Sequence, residues 1–285
     1  MASLLSGREL AGTIRSRVAL EAGALPGRPV CLAVVTAADD PASAVYVASK
    51  RKACEKAGMK SVGIDLPAEV SQDGYLDAVR SLNDDPTVDA IICQLPLPPG
   101  IDPHAVASTV LPSKDVDGFH PENVGRLWRG EDGIFPCTPL GVMRLLEAYG
   151  LEIGGRRAVI VGRSNIVGKP MAALLLRSDA TVTLAHSKTP DLPGLCRTAD
   201  ILVTAVGRPG VIGRGHVHEG AVVVDVGISR DGDVLRGDVD FEAVEPVCSH
   251  ITPVPGGVGP LTIAILLENA LRLRKAADAR KAATP

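Results

Sequence analysis

The chain is poor in aromatic residues, which make up only 2% of its 285 residues. Its cores must therefore be built from alanine, valine, leucine and isoleucine, in keeping with a hydrophobic content of 46%. The six cysteines are far apart, form no CxxC pair and do not cluster with histidine, so we expect neither a disulfide framework nor a metal site. We expect free thiols in a reducing, cytoplasmic compartment.

The chain also lacks an excess of positive charge and any apolar run long enough for a membrane helix. The 30 Lys and Arg residues are scattered and are balanced by 33 Asp and Glu residues, which gives a formal net charge of −3. Phosphate-backbone binding needs a basic face, so nucleic acid is not an expected partner. A membrane helix needs about 18 apolar residues in succession, so no membrane partner is expected either.

Strand-like apolar runs alternate with helical segments along most of the chain. Strand patterns occur at 29–35, 60–66, 88–98, 158–161, 199–207 and 221–227. Such alternation predicts an α/β fold with parallel sheets and right-handed crossovers. A length of 285 residues allows about two domains. We predict α/β domains at 1–139 and 140–262, the second Rossmann-like, and a helix at 263–285 that returns to the first domain.

Two helices carry specific expectations. Thr138 is the predicted N-cap of a helix that Gly150 ends, with Pro139 at its first position. In the last helix, positions 263, 266, 267, 270 and 271 are apolar and predict a single buried stripe.

Residues 156–188 read as strand, glycine turn, helix and strand. The familiar GxGxxG is absent because Gly162 and Gly168 flank five residues, but an apolar run precedes the turn and a helical segment follows it. Backbone N–H groups at such a helix start can hold a phosphate, which predicts a nucleotide site. An ordinary strand-to-helix turn is the alternative.

The second strand of this unit ends without an acidic residue. Dinucleotide folds usually place an Asp or Glu about 20 residues after the glycine turn, where it accepts the ribose 2′-hydroxyl. Here the matching region offers His186, Ser187 and Lys188, and Arg163 and Ser164 lie within the turn. Cations and hydroxyls suit an anionic 2′-phosphate, so the expected cofactor is NADP rather than NAD.

A second group of polar residues lies in the first predicted domain. Tyr46 and Lys50 are four residues apart on one helix, and Gln94 ends a strand. Asp115 and Asp117 lie in the loop PSKDVDG. Ligands of open α/β sheets bind outside the carboxyl ends of strands, so we expect these groups to converge there. A surface Tyr–Lys pair, a strand-end amide and a solvated acidic turn form the alternative.

The loop PVPGGVGPLT, at 253–262, combines proline with several glycines. Such a loop lets a ligand approach the backbone closely. A plain helix-entry turn is the alternative interpretation.

Nine motifs occur in order between residues 46 and 262: YVASK, CQLPLP, KDVDGF, PCTPLG, VGRSNIVGKP, TVTLAHSKT, VVDVGI, GDVD and TPVPGGVGPLT. In these motifs the chain resembles the bifunctional methylenetetrahydrofolate dehydrogenase/methenyltetrahydrofolate cyclohydrolase family (FolD family). The resemblance implies oxidation of methylenetetrahydrofolate with NADP and hydrolysis of the methenyl product. It also implies a homodimer that binds tetrahydrofolate one-carbon derivatives, with a catalytic domain followed by an NADP domain.

The resemblance also implies roles for individual residues. Lys50 is then the key catalytic residue, Gln94 its amide partner, Tyr46 packs on the folate, and Asp117 holds the pterin. The implied folate-binding set is Tyr46, Lys50, Gln94, Leu95, Asp117, Pro255, Gly256, Gly257, Val258, Gly259 and Pro260. The predicted cofactor-binding set is Gly162, Arg163, Ser164, Ile166, Val167, His186, Ser187 and Ile228.

Two alternative functions differ from this expectation. A monofunctional NAD-dependent dehydrogenase of the same family is expected to lack the lysine or the cationic 2′-phosphate site. A non-catalytic nucleotide-binding dimer is expected to lack the combination of Tyr46, Lys50, Gln94 and Asp117.

Overall fold

The computed structural model describes residues 2–37, 41–232 and 234–283. Contacts divide the chain into two compact units: unit 1 comprises Met1–Gly12 and Pro136–Thr262, and unit 2 comprises Thr13–Phe135 and Ile263–Pro285. The predicted boundaries at 139 and 262 stay a prediction. The N-terminal residues group with unit 1 because the first strand pairs with the last strand of that unit.

The helices are α1 (Arg8–Gly23), α2 (Pro41–Lys56), α3 (Gln72–Asp84), α4 (Pro103–Thr109), α5 (Pro121–Trp128), α6 (Cys137–Ala148), α7 (Gly168–Arg177), α8 (Leu192–Cys196), α9 (Phe241–Val244) and α10 (Gly259–Ala283). A short 3-10 helix spans Arg214–His216. Within the described ranges, no helix combines the length and the apolar character that crossing a membrane requires.

The strands are β1 (Ser3–Leu4), β2 (Cys31–Thr36), β3 (Lys60–Asp65), β4 (Ala90–Cys93), β5 (Arg157–Val161), β6 (Thr181–Ala185), β7 (Ile201–Thr204), β8 (Val222–Asp225), β9 (Ser229–Asp231), β10 (Val234–Arg236) and β11 (His250–Ile251).

Unit 1 contains a parallel sheet in the order β1-β11-β8-β7-β5-β6. Strands β7 and β8 are buried along their whole length, and the described part of β9–β10 forms a separate antiparallel hairpin. The carboxyl ends of β5, β7 and β8 are neighbours in this sheet. This is the edge where ligands of open α/β sheets bind.

Unit 2 contains a parallel sheet in the order β3-β2-β4. Its core includes the buried strand residues Cys31, Ala33, Val35 and Ile91, which pack with α3 and α4. The KDVDG segment extends this sheet, because Asp115 forms an isolated parallel bridge with Ile91. The alternation of strands and helices in the sequence thus predicted both sheets.

Three local predictions are wrong. Thr138 does not cap α6, which begins at Cys137; its hydroxyl instead forms a 2.9 Å hydrogen bond with the hydroxyl of Thr262. Strand β4 ends at Cys93, well short of the predicted residue 98, since Pro96 and Pro98 have no N–H for a sheet. The stripe on α10 is not one-sided, because residues 264–271 are all buried and position 263 is partly exposed.

All six cysteines are free thiols, and five of them are buried. Burial raises the pKa of Cys31, Cys54, Cys93, Cys196 and Cys248 above the ordinary thiol value. These side chains therefore remain protonated at neutral pH and behave as small apolar residues.

Candidate functional site

Lys50 and Gln94 meet in unit 2. Lys50 lies on α2 and is half-buried, and Gln94 directly follows β4. The Lys50 Nζ donates a 2.8 Å hydrogen bond to the Gln94 Oε1. The Gln94 amide nitrogen donates to the carbonyl of Leu95, so the amide oxygen is the atom that faces the lysine. An amide partner directs the amine without adding a charge beside it.

Tyr46 lies one helical turn before Lys50 on α2 and is 45% exposed. Residues at this spacing share one face of a helix. An exposed phenol ring on the same face as a half-buried amine offers a flat apolar surface next to that amine.

Asp117 lies in a segment whose backbone is held on several sides. The Ile91 N–H donates to the Lys114 carbonyl at 2.7 Å. The buried Asp115 carboxylate accepts 2.8 Å hydrogen bonds from the His120 N–H and the Asn123 side-chain amide. Burial raises the Asp115 pKa, and these hydrogen bonds oppose the change. Asp115 therefore has a structural role, whereas the neighbouring Asp117 is half-buried.

The glycine turn of unit 1 follows β5. Gly162 has a φ of +129°, and a side chain there would overlap the Ala205 carbonyl oxygen. A side chain at Gly168 would overlap the Gly162 carbonyl oxygen, so both positions require glycine. The residues between them that are exposed are Arg163, Ser164, Asn165 and Ile166.

Ser164 organises the start of α7. Its hydroxyl oxygen accepts hydrogen bonds from the N–H groups of Val167 at 3.1 Å and Gly168 at 3.3 Å. Its carbonyl accepts from the Lys169 N–H. The first N–H groups of this helix are thus engaged by Ser164, which differs from the expectation that they are available to a phosphate. The exposed Arg163 side chain is the cationic group of the turn.

The segment after β6 forms a second tight turn. The His186 N–H donates to the Thr189 hydroxyl at 2.9 Å, and the His186 Nδ1 accepts from the Lys188 N–H at 3.1 Å. Ser187 and Lys188 are exposed, and residues 186–189 contain no acid. β5 and β6 are paired parallel neighbours, so this turn follows the strand next to the one that leads into the glycine turn. A 2′-phosphate fits this set of hydroxyl and cationic groups better than a 2′-hydroxyl does.

The glycine-rich loop before α10 packs within unit 1. Gly256 has a φ of +114°, and its carbonyl accepts a 3.0 Å hydrogen bond from the Gly7 N–H. Residues 256–258 are buried, Gly259 and Pro260 are half-buried, and Pro255 is exposed. Ile228, from the predicted cofactor set, is 42% exposed, and its Cδ1 lies near Gly259.

Two polar groups near these sites were not predicted. Asn269 on α10 is fully buried and donates to the carbonyl of Val116, next to Asp117. Asp225 and Asp238 form a buried carboxylate pair behind the ends of β7 and β8. Asp238 directly follows Gly237 in GDVD, and Asp225 lies two residues before Gly227 in VVDVGI; this was the available sequence signal.

Family models match most of the chain. Residues 5–117 match the catalytic domain of tetrahydrofolate dehydrogenase/cyclohydrolase, and residues 136–278 match its NAD(P)-binding domain. A curated relative, the bifunctional protein FolD of Campylobacter curvus, is 52% identical over 272 residues, which cover 94% of each chain.

Solved structures give the same result. The structure of the bifunctional enzyme FolD, methylenetetrahydrofolate dehydrogenase/cyclohydrolase, from Campylobacter jejuni superposes with a TM-score of 0.95. It is 47% identical and covers 97% of this chain and 100% of its own. The Trypanosoma brucei dehydrogenase-cyclohydrolase, complexed with NADP and an inhibitor, has a TM-score of 0.92 and 39% identity, and covers 97% of this chain and 98% of its own.

These matches confirm the predicted resemblance, the two-domain α/β fold and a nicotinamide dinucleotide as cofactor. The chain therefore belongs to the tetrahydrofolate dehydrogenase/cyclohydrolase family, as an enzyme with a catalytic domain and an NAD(P)-binding domain.

Proposed function

We propose that this chain oxidises 5,10-methylenetetrahydrofolate with NADP⁺ and hydrolyses the resulting 5,10-methenyltetrahydrofolate to 10-formyltetrahydrofolate. The observation that carries the proposal is the 2.8 Å hydrogen bond between the Lys50 Nζ and the Gln94 Oε1. It provides an oriented amine in the catalytic domain, and membership of the family supplies the substrate class.

In the oxidation step the protein acts mainly by alignment. When bound, the nicotinamide ring supplies the acceptor for a hydride from the one-carbon bridge of the substrate. The chain's own part is to bind and orient the folate, which we assign to Tyr46, Asp117 and the loop at 255–260. Asp117 offers a half-buried carboxylate to the N–H groups of the pterin.

In the hydrolysis step Lys50 transfers protons. Water adds to the methenyl carbon and loses one proton to the amine. As the bond from that carbon to N5 then breaks, N5 gains the proton of the new hydroxyl group, and the resulting formyl group stays on N10. An isolated lysine amine, with a pKa of about 10.4, is a poor base at neutral pH. A cationic substrate alongside favours the neutral amine, which is the form that takes a proton from the attacking water. Gln94 keeps the amine pointed at that water.

We assign the preference for NADP to Arg163, Ser187 and Lys188. Their side chains are exposed on two neighbouring turns of unit 1, and no carboxylate of residues 186–189 competes for the ribose. The other predicted contacts, from Gly162, Ser164, Ile166, Val167, His186 and Ile228, belong to the same proposal.

A spectrophotometric assay tests the function directly. The purified chain is mixed with methylenetetrahydrofolate and either NADP⁺ or NAD⁺, and then separately with methenyltetrahydrofolate alone. NADP⁺ reduction together with hydrolysis faster than the uncatalysed rate supports the proposal. Reduction of NAD⁺ without hydrolysis would identify the monofunctional alternative, and no turnover at all would identify the non-catalytic one.

The proposal includes a cytoplasmic homodimer. Five buried free thiols are suited to a reducing compartment. Light scattering coupled to gel filtration is expected to give about twice the chain mass of 29.5 kDa. A mass of one chain would contradict the dimer.

A further inference from the structure

Two carboxylates with no role in the chemistry above are buried in unit 1. Asp225, the last residue of β8, is 3% exposed, and Asp238, two residues after β10, is 0% exposed. Buried carboxylates are costly unless their oxygens accept several hydrogen bonds, so the groups that they contact indicate their role.

Asp238 holds the segment that follows β7. Its Oδ2 accepts from the Thr204 hydroxyl at 3.0 Å and from the Val206 N–H at 2.7 Å. Its Oδ1 accepts from the Arg208 N–H at 2.7 Å. One carboxylate therefore fixes both ends of residues 204–208, which we call the β7 loop.

Asp225 in turn holds Asp238. Its Oδ1 accepts from the Asp238 N–H at 3.0 Å and from the Gly227 N–H at 2.9 Å, and its Oδ2 accepts from the Val239 N–H at 2.9 Å. The Asp225 carboxylate thus holds the backbone from which the Asp238 side chain projects.

Two glycines make room for this arrangement. A side chain at Gly227 would overlap the Asp238 carboxylate, and one at Gly237 would overlap Oδ2 of Asp225. The two aspartates and the two glycines thus form one packed cluster at the carboxyl ends of β7 and β8.

The β7 loop contacts the glycine turn of the cofactor site. The Ala205 N–H donates to the Val161 carbonyl at 2.9 Å. The Ala205 carbonyl oxygen lies so close to Gly162 that no side chain fits between them. Any displacement of the β7 loop therefore moves the wall against which Gly162 packs.

We propose that Asp238, supported by Asp225, is a positioning residue for the nicotinamide dinucleotide. It touches neither substrate nor cofactor and acts by fixing the β7 loop against the Gly162 turn, as the supporting groups behind a preorganised site do. This inference rests on the proposed function, because it assumes that the Gly162 turn binds NADP.

The test measures NADPH binding by fluorescence titration in the full-length chain. Asp238→Asn keeps the shape of the side chain but removes the charge and faces an amide against N–H donors. The Kd for NADPH is expected to rise about tenfold, which corresponds to roughly 1.4 kcal/mol. Hydrolysis of methenyltetrahydrofolate without cofactor is expected to stay within about twofold of the parent rate.

Thr204→Val and Thr204→Ser provide a second arm. Thr204→Val removes the hydroxyl donor to Asp238 with little change in volume, and it is expected to raise the NADPH Kd less than Asp238→Asn does. Thr204→Ser retains the hydroxyl and is expected to restore the parent Kd. This pair keeps the inference falsifiable if Asp238→Asn does not fold.

Asp240→Asn is the matched control, since Asp240 is exposed and caps the short helix α9. Unchanged NADPH affinity in both Asp238→Asn and Thr204→Val would overturn the inference. A fall in the hydrolysis rate of Asp238→Asn as large as its loss of NADPH affinity would overturn it too. If the parent chain itself does not bind NADPH, the proposed cofactor fails instead, so the two failures are distinguishable.

Discussion

The side-chain amide of Asn269 donates a 3.0 Å hydrogen bond to the main-chain carbonyl of Val116, the residue directly before Asp117. The same nitrogen donates to the carbonyl of Phe135, also at 3.0 Å. The last helix therefore fixes the peptide that presents the predicted pterin-binding carboxylate.

Asn269→Leu is expected to lower the free energy of unfolding by about 2 to 4 kcal/mol, because two carbonyls lose a buried donor. Urea unfolding followed by circular dichroism measures the change as a lower midpoint. Asn165→Leu, at an exposed asparagine, is expected to change the stability by less than about 0.5 kcal/mol. Equal effects of the two substitutions would show that the amide of Asn269 stabilises nothing.

Asp89→Asn is expected to destabilise the fold by about 3 to 5 kcal/mol. The buried Asp89 carboxylate accepts two hydrogen bonds from Arg28, at 2.6 and 2.7 Å, and lies 3.8 Å from the buried Arg274 guanidinium. The same hydrogen bonds raise the Arg28 pKa. Removing the anion leaves Arg28 without its hydrogen-bonded counter-ion, and Arg274 keeps only Asp278, whose carboxylate accepts from it at 2.8 Å.

Thermal or urea unfolding checks this, with Asp77→Asn as the control. Asp77 pairs with Arg80 on the exposed surface of α3, where an ion pair contributes about 0 to 1 kcal/mol. If Asp89→Asn loses no more free energy of unfolding than Asp77→Asn does, the stabilising role of the buried ion pair is contradicted.

Asp225 is expected to make stability depend on pH in the acidic range. Burial, followed by the nearby Asp238 charge, raises its pKa from 3.8 to about 6, against three opposing backbone hydrogen bonds. Between about pH 4 and pH 6 the folded chain then holds a proton that the unfolded chain has released. This contribution to stability, about 3 kcal/mol for such a change, is present at low pH and lost as the pH rises through 6.

The free energy of unfolding of the parent and of Asp225→Asn at about pH 4.5, 5.5 and 7 measures this contribution, since the amide of the variant does not titrate. The stability of the parent relative to the variant is expected to fall as the pH rises. A relative stability that rises with pH would show that the folded state favours the Asp225 carboxylate.

The sequence predicted what local patterns determine. The glycine turn at 162–168 and the strands β5 to β8 follow from apolar runs and glycine spacing, which short segments carry by themselves. The Lys50–Gln94 contact could be anticipated because both residues were expected at the carboxyl edge of one parallel sheet. Thr138 shows the limit of such reasoning, because its hydroxyl bonds to Thr262 instead of capping its own helix.

The supporting groups could not be predicted in the same way. Asn269 contacts a carbonyl 153 residues away, and its own helix gives no sign of that partner. Asp225 and Asp238 each have a glycine within two residues in the sequence, and this was the available signal. Which carboxylate holds which loop, however, depends on how β7, β8 and β10 are placed in space. These are tertiary contacts that override local preference.

Arg163→Ala is expected to weaken NADP binding much more than NAD binding. A charge-assisted hydrogen bond from the guanidinium to a 2′-phosphate contributes about 1.5 to 3 kcal/mol, and NAD has no such phosphate. Dissociation constants for both cofactors measure the difference. Arg157→Ala, at the opposite end of β5, is the control and is expected to change neither. Equal losses for NADP and NAD would remove Arg163 as the phosphate ligand.

The amine of Lys50 is the group on which the proposed function depends most, and the rate at which Lys50→Met hydrolyses methenyltetrahydrofolate tests it most directly. We expect hydrolysis to fall to the uncatalysed rate while the Kd for NADPH stays unchanged, because the substitution removes the proton-transfer group from unit 2 and leaves unit 1 intact. Lys52→Met, at an exposed lysine of the same helix, is expected to hydrolyse the substrate at the parent rate. Parent-level hydrolysis by Lys50→Met would contradict the assignment.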